Sequence, residues 1–587
     1  MKKSDFIVFF SERFKELLHR GTLDSYRVRN HYSLSLLYEL DNLIDGWINN
    51  RIKLFETIKL CVEELIETLN KDICIDFSFY SKELFVDELN KYIDKNQSKD
   101  HRDKSIIESS SMVNDSNKIR FLIKKCINTN ETKYTKELFT IIDDIILCDD
   151  DLNDQDYPEI VGRLDWATTT LCCVLLHQGY SKNHLYLKAD KLSEKRGDSY
   201  LKSYTEMKDS FLKKKEYDYS VIFRLSVNND IMSCKDEYGF KESVEDLLPK
   251  TSKDSEIRYK SYITPANGVL FYTYDCSALD LYSAIWKGRE SLSMLFDVMN
   301  LAMTKSKINI PSMALVIPRI PGKNLSYYRK TDFVLDGTFT NDPQLSKELK
   351  RDIFKIRDNS ELIEQDVQDR ILSAIRHLRL GDTSSEIELR FINYWIALEF
   401  IFSSPVTNEN TFNRLKRNLI NILCSCYIKR NILYLDEALR NDASKPLSKM
   451  TESEWDTLIS GEKSLLLQWR LCKMKSHLHS KEKIKDYITN HQQNLTWHIT
   501  RIYGIRNKLI HEAALTQEIE SVTSNLRYYL VFLLNQMIVY FSKVGENNTK
   551  VNMNNFFLEY EVLLEKIKKD WDRQVVLGVE IEMNLLK

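Results

Sequence analysis

The stretch Arg501–Leu515, RIYGIRNKLIHEAAL, brings a guanidinium, a carboxamide and an imidazole close together in sequence, on Arg506, Asn507 and His511. These types suit proton transfer and anion binding. Imidazole titrates near neutrality and moves protons, and guanidinium clamps phosphate oxygens in a planar fork. From Ile505 onward the stretch has neither glycine nor proline, so it predicts a helix. At ~100° per residue, Ile502, Ile505 and Leu509 fall within about 60° of one another and form a core stripe, with His511 roughly opposite. Arg506 sits at the stripe's edge, about 140° round from His511. Tyr503, Ile510 and Ala514 make a second, milder apolar strip that suits packing against a partner helix. The same spacing also fits an ordinary solvated face.

A second stretch bears on the choice. Glu388–Phe402, ELRFINYWIALEFIF, predicts a helix with Phe391, Ile392, Trp395, Ile396 and Phe402 along one side, and Glu399 in the middle of that side. A carboxylate among apolar residues needs a cation, because an uncompensated buried charge is strongly penalised. Arg506, at the edge of its own stripe, is the expected partner.

Two segments, Asp369–Ser404 and Ile499–Ala513, resemble the HEPN superfamily (higher eukaryotes and prokaryotes nucleotide-binding), and within it the Apea-like group. Arg506 to His511 matches the R-x-x-x-x-H signature, with a polar residue after the arginine, and the WIALE helix lies upstream of it. The resemblance covers about residues 350 to 545 and implies a C-terminal HEPN helical bundle. It also implies a metal-independent endoribonuclease that needs no cofactor. The ribose 2′-OH is then the nucleophile, and the products carry 2′,3′-cyclic phosphate and 5′-hydroxyl ends. His511 becomes general acid or base, Arg506 the phosphate clamp, Asn507 an orienting partner and Glu399 the group that holds Arg506. The resemblance further implies a homodimer or larger even oligomer with two such helices facing in one cleft, and transfer RNA among the substrates. Antiviral defence by abortive infection with a phage-derived trigger would follow, the rest of the chain restraining the nuclease. The rival reading is a non-catalytic HEPN protein that binds nucleotide or RNA, or a scaffold subunit of a defence or toxin–antitoxin complex. Arg506, Asn507 and His511 together favour catalysis, for which a scaffold has no chemical need.

The elements that must position these residues are predominantly helical. With 15 glycines and 9 prolines in 587 residues, turns are sparse, which predicts a mainly α, multi-domain fold. The expected divisions are a mostly helical sensor or regulatory region at 1–255, a small α+β module at 256–350, a helical domain at 351–545 and a charged helical tail at 546–587. Strands are expected at Tyr219–Val227, in NGVLFYTYD and in PSMALVIPRIP, with an amphipathic helix between the last two. After Asp342 long helices are expected at about 344 to 380, 385 to 403, 411 to 441, 463 to 478, 482 to 513 and 517 to 543. Asp94–Lys118 holds little that could form a core and reads as an exposed loop or insertion.

The net charge of -2 means that any phosphate-binding surface must be a local patch rather than a global basic field. Eleven scattered cysteines read as reduced core thiols of a cytoplasmic protein. The apolar run Tyr528–Phe541 is shorter than the roughly 20 residues of a membrane span and carries Asn535 and Gln536 at its middle, so it predicts a buried helix and no membrane partner. Asp5, Glu12, Arg13 and Lys15 interrupt the N-terminal apolar residues before an export signal is complete. The acidic run from Asp149 lacks the glycine and bidentate glutamate of a calcium loop and reads as solvated. Cys424, Cys426, Cys472, His477 and His479 read as structural thiols and surface histidines rather than a zinc site. His498 reads as a helix-surface residue, with proximity to the site as the alternative. Pro321–Asn324, PGKN, lacks the glycine spacing of a phosphate loop.

Overall fold

The computed structural model describes residues 3–21, 30–52, 54–78, 80–96, 110–147, 157–248, 261–303, 308–320, 326–331, 335–336, 342–359, 361–404, 409–439, 445–512, 519–544, 550–569 and 579. The fold is mainly α, with one small antiparallel sheet among the described residues. Two compact units make it up: Met1–Cys173 with Leu335–Lys587, and Val174–Val334.

The smaller unit explains why the expected boundary at 255/256 does not hold. Its strands are β1 (Tyr217–Ser226), β2 (Val269–Ala278), β3 (Met313–Pro318) and β4 (Tyr327–Lys330), in the order β2-β1-β3-β4. β1 pairs with β2 on one side, Val221 opposite Tyr274, and with β3 on the other, Val221 opposite Val316. A strand bonded along both edges cannot be assigned to a separate domain. Its side chains alternate as the pleat requires. Val221, Phe223 and Leu225 face the Leu281–Ala302 helix, and Ile222 joins Phe271, Leu315 and Tyr262 on the opposite face. The helix lies close because Gly288 has no Cβ; one built there would come within 3.1 Å of the Phe223 ring and 3.3 Å of the Val221 Cβ. Asp280 caps the helix, accepting from the backbone N–H groups of Tyr282 and Ser283 at 2.9 and 3.0 Å.

In the larger unit the N-terminal helices pack with those from the C-terminal half, so 1–255 is not a region apart. The Lys3–Leu18 helix buries Phe6, Phe9, Phe10 and Phe14, and Phe9 meets Trp469 edge-on at 5.8 Å. Glu16 accepts from Arg470 at 2.7 Å and from Tyr434 at 3.0 Å. The expected tail is likewise part of this core. Val551 exchanges backbone hydrogen bonds with the Leu362–Glu364 segment, and the Met553–Lys569 helix buries Phe556 and Phe557, the latter stacked on Phe402 at 5.2 Å. That same bridge splits the expected 344–380 helix into Pro343–Asp358 and Gln365–Thr383. The Glu452–Gly461 helix is additional, and its Thr451/Glu454 capping box was the signal available for it.

Asp94–Asn96 end the Lys82–Asn96 helix and 110–118 begin the Ser110–Asn130 helix, correcting the expected loop at both ends; the intervening 97–109 lie outside the described residues. Asp149–Asp156 and Pro321–Asn324 also lie outside them. No helix among the described residues is long and apolar enough to cross a membrane. Tyr528–Phe541 is instead a nearly fully buried part of the Ile519–Ser542 helix. Cys424 and Cys426, on successive faces of the Thr411–Ala438 helix, are both buried because that helix is packed from several sides. No disulfide joins the described cysteines, and among the described residues no group of His, Cys, Asp or Glu is arranged to hold a metal.

His477 is not a free surface histidine: it stacks on Tyr487 at 4.0 Å, and burial, reinforced by Lys473 and Lys483, lowers its pKa to about 4. His491, buried against Tyr427 at 3.6 Å, is also pushed well below the ordinary value by burial. The unfolded chain therefore binds more protons than the folded one between the ordinary histidine value of about 6.5 and about 4. Stability present above pH ~6.5 is expected to be lost progressively as pH falls through that window. Denaturant midpoints at pH 7 and pH 5 check this, with the loss reduced in His477→Gln.

Candidate functional site

Two helical elements build the site. Ile387–Phe402 supplies Glu399, and Lys481–Glu512 supplies Arg506, Asn507 and His511. The first is held in an antiparallel hairpin with Gln365–Thr383. Gly381 makes that hairpin close, since a Cβ there would stand 2.3 Å from the Tyr394 ring. Tyr394 donates to Asp382 at 2.7 Å, and Arg527 grips the same carboxylate with two bonds of 2.7 and 2.9 Å. Buried Arg370 bonds the last carbonyls of the Glu399 helix, including that of Ile401 at 3.2 Å, where a cation suits the helix's negative end. Gly381→Ala is expected to destabilise the unit by about 1–3 kcal/mol, because Tyr394 must be displaced from a packed site. A chemical denaturation series checks it; Gly461→Ala, where an added Cβ meets nothing, is the control.

Lys481–Glu512 is deeply seated. Ile484, Ile488, Leu495, Ile499, Ile502 and Ile505 are buried at helical spacing, as the apolar periodicity requires. Leu509 is only half-buried, so the core stripe fades over the last turn. Tyr503 does not join a strip turned to a partner: it stacks on Phe412 at 4.0 Å and leans on Trp395 at 5.9 Å within its own chain. Ile510 is 47% exposed, and Ala514 lies outside the described residues.

The structure brings Glu399 and Arg506 together. Nη2 of Arg506 lies 3.6 Å from Oε1 of Glu399, and Nη1 donates to Oδ1 of Asn507 at 3.1 Å. The ion pair is longer than a hydrogen bond and its side chains are 23% and 31% exposed, so solvent screens it and it contributes under about 1 kcal/mol to stability. Its expected setting is corrected: Glu399 is at the margin of the apolar side rather than in its middle. Phe391, Tyr394, Trp395, Leu398, Ile401 and Phe402 are buried, whereas Ile396 is exposed. The Nε of Arg506 is buried and has no acceptor among the described residues. The side chain is thus part-exposed, its Nε turned inward and its outer nitrogens beside a carboxylate and a carboxamide. His511 occupies the last turn of the same helix; its side chain lies outside the described residues. On an α-helix its backbone stands about 7.5 Å along the axis from that of Arg506.

His498 is neither on the surface nor at the site. It is 3% exposed, with Nε2 3.0 Å from Nδ2 of Asn525. A residue that spacing did not mark is Arg501, one turn before the site. Its Nε and Nη2 reach Glu39 at 2.9 and 2.8 Å, and Nη2 reaches Glu64 at 2.7 Å. The Arg501 and Glu64 side chains are only 8% and 3% exposed. The available signal was a pair of polar residues inside apolar runs: Glu64 in CVEELIETL and Arg501 beside Ile499 and Ile502.

Comparisons with protein-family models, with curated proteins and with solved structures find no match for this chain.

Proposed function

We propose that the chain is a metal-independent HEPN-type endoribonuclease acting in the cytoplasm, with Arg506 and His511 as its reacting groups. The observation that carries this reading is the Glu399–Arg506–Asn507 contact. It sets a part-exposed guanidinium on the helix that carries His511 in its last turn, and in this reading a phosphate meets that guanidinium. RNA supplies its own nucleophile. One imidazole takes or gives a proton as the 2′-oxygen bonds to phosphorus and the 5′-oxygen departs. The 2′-hydroxyl proton goes to the base, a proton is delivered to the leaving oxygen, and the products are a 2′,3′-cyclic phosphate and a 5′-hydroxyl. Arg506 meets the charge that builds on the phosphorane oxygens, and Glu399 and Asn507 orient it. Because base and acid are both required, two copies of the chain facing each other would supply an imidazole for each role, which favours a homodimer or larger even assembly. A toxin restrained until a phage-derived trigger releases it is the biological role that fits, with transfer RNA as a substrate to test first.

Incubating the purified protein with total RNA in excess chelator tests the reading. Cleavage is expected to persist in chelator and to fall in both Arg506→Ala and His511→Ala. Cleavage undiminished in both variants would move the chemistry to other residues.

A further inference from the structure

We propose that the face of the Pro343–Asp358 helix centred on Phe354 is a docking surface for single-stranded RNA, a proposal that rests on the nuclease reading for its occupant. The helix is amphipathic, yet Ile356 is its only buried residue among those described. At ~100° per residue, Lys347, Lys350, Phe354 and Arg357 fall within about 80° of arc. All four are exposed, Phe354 to 36%. The ring lies between two of the cations, with Nζ of Lys350 5.6 Å and Cζ of Arg357 4.3 Å from its centroid. Beside it runs an open groove of about 490 Å³ lined by Leu345, Ser346, Leu349 and Ile353, with the Asp342 carboxylate, which caps the helix, also in its lining.

An exposed aromatic flanked by cations, next to an apolar groove, fits a polyanion whose bases present π-faces. Bases stack on the ring while phosphates meet the cations, with no demand on sequence. Charge separates this helix from the rest of the chain, although Asp358 lies at the border of the face. The helix carries Lys347, Lys350, Arg351, Lys355 and Arg357 against Glu348, Asp352 and Asp358, whereas the whole chain is net -2. The ion pairs of Arg351 and Arg357 are with their adjacent aspartates, Asp352 and Asp358, at the surface, pairs worth little. No described carboxylate lies within ion-pair distance of Lys347 or Lys350. A second copy presenting the same cationic face would be repelled, which disfavours self-association here. The helix packs against Ile519–Ser542, which in turn packs against the helix of Glu399, so a strand held here is held by the unit that carries the site.

The test uses the full-length His511→Ala protein, so that RNA is bound without being cut, and a fluorescein-labelled oligouridylate read by anisotropy across a salt series. Phe354→Ala is expected to weaken binding about tenfold, as loss of one stacked base does. Lys347→Gln with Lys350→Gln is expected to reduce the salt slope by about 1.4, two single-strand phosphate contacts' worth. Unchanged affinity and slope in these variants, or no binding by the parent, would overturn the proposal, as would a sedimentation change in Phe354→Ala without an affinity change. Cleavage by the wild type is scored separately. Wild-type cleavage with binding indifferent to Phe354 defeats the docking surface alone, and Phe354-dependent binding without wild-type cleavage defeats the nuclease reading alone.

Discussion

His511→Ala is expected to lower RNA cleavage by about 10²–10⁴-fold, the contribution typical of a positioned proton-transfer group. The denaturation midpoint is expected to hold if the loss is chemical. Single-turnover cleavage rates measure the loss, and an unchanged denaturation midpoint shows that it is chemical. Glu399→Ala gives a graded companion. Its ion pair is long and part-exposed, so stability should change by under about 1 kcal/mol while cleavage falls through a loosened Arg506. A stability loss in proportion to the activity loss would instead make Glu399 a packing residue.

Arg501→Ala carries the largest expected effect on stability. The guanidinium sits between Glu39 and Glu64, and the Glu64 side chain is 3% exposed. Removing the cation leaves that buried carboxylate without its guanidinium and is expected to cost about 3–5 kcal/mol. Replacing Arg501, Glu39 and Glu64 together by apolar residues of similar volume should recover most of the loss, since the desolvation penalty of the charges disappears with them. Guanidinium denaturation of the single and triple variants checks both statements. The triad also joins the helix that ends in Arg506 and His511 to the Ser33–Ile48 and Glu56–Lys71 helices. Arg501→Ala should therefore lose activity along with stability, and the triple variant should regain both.

The legible parts of this chain were those set by local periodicity. The Ile387–Phe402 and Lys481–Glu512 helices lie where apolar spacing places them, and Glu399 does meet Arg506, although at a part-exposed margin where the burial cost that led to the expectation is small. What escaped was non-local. β1 belongs to a sheet whose next strand begins at Val269, and Val551 meets Leu362 from far along the C-terminal half. No window of sequence contains both partners, so the 255/256 boundary and the separate tail were natural errors. Glu399 was placed too centrally because periodicity gives the direction of a side chain but not the width of the face that neighbours cover. The exposed Ile396 shows where that cover ends. His498 looked superficial for a related reason: its partner Asn525 comes from a helix whose packing side the spacing of Lys481–Glu512 alone does not specify.

The central claim is that the substrate's own 2′-hydroxyl is the nucleophile. It is tested most directly by comparing an RNA oligonucleotide that the protein cuts with the same oligonucleotide carrying a single 2′-deoxyribose on the 5′ side of the scissile phosphate. The account predicts cleavage of the first, with a 2′,3′-cyclic phosphate at the new end, and an intact second strand. Cleavage of the 2′-deoxy strand at the same bond would contradict it.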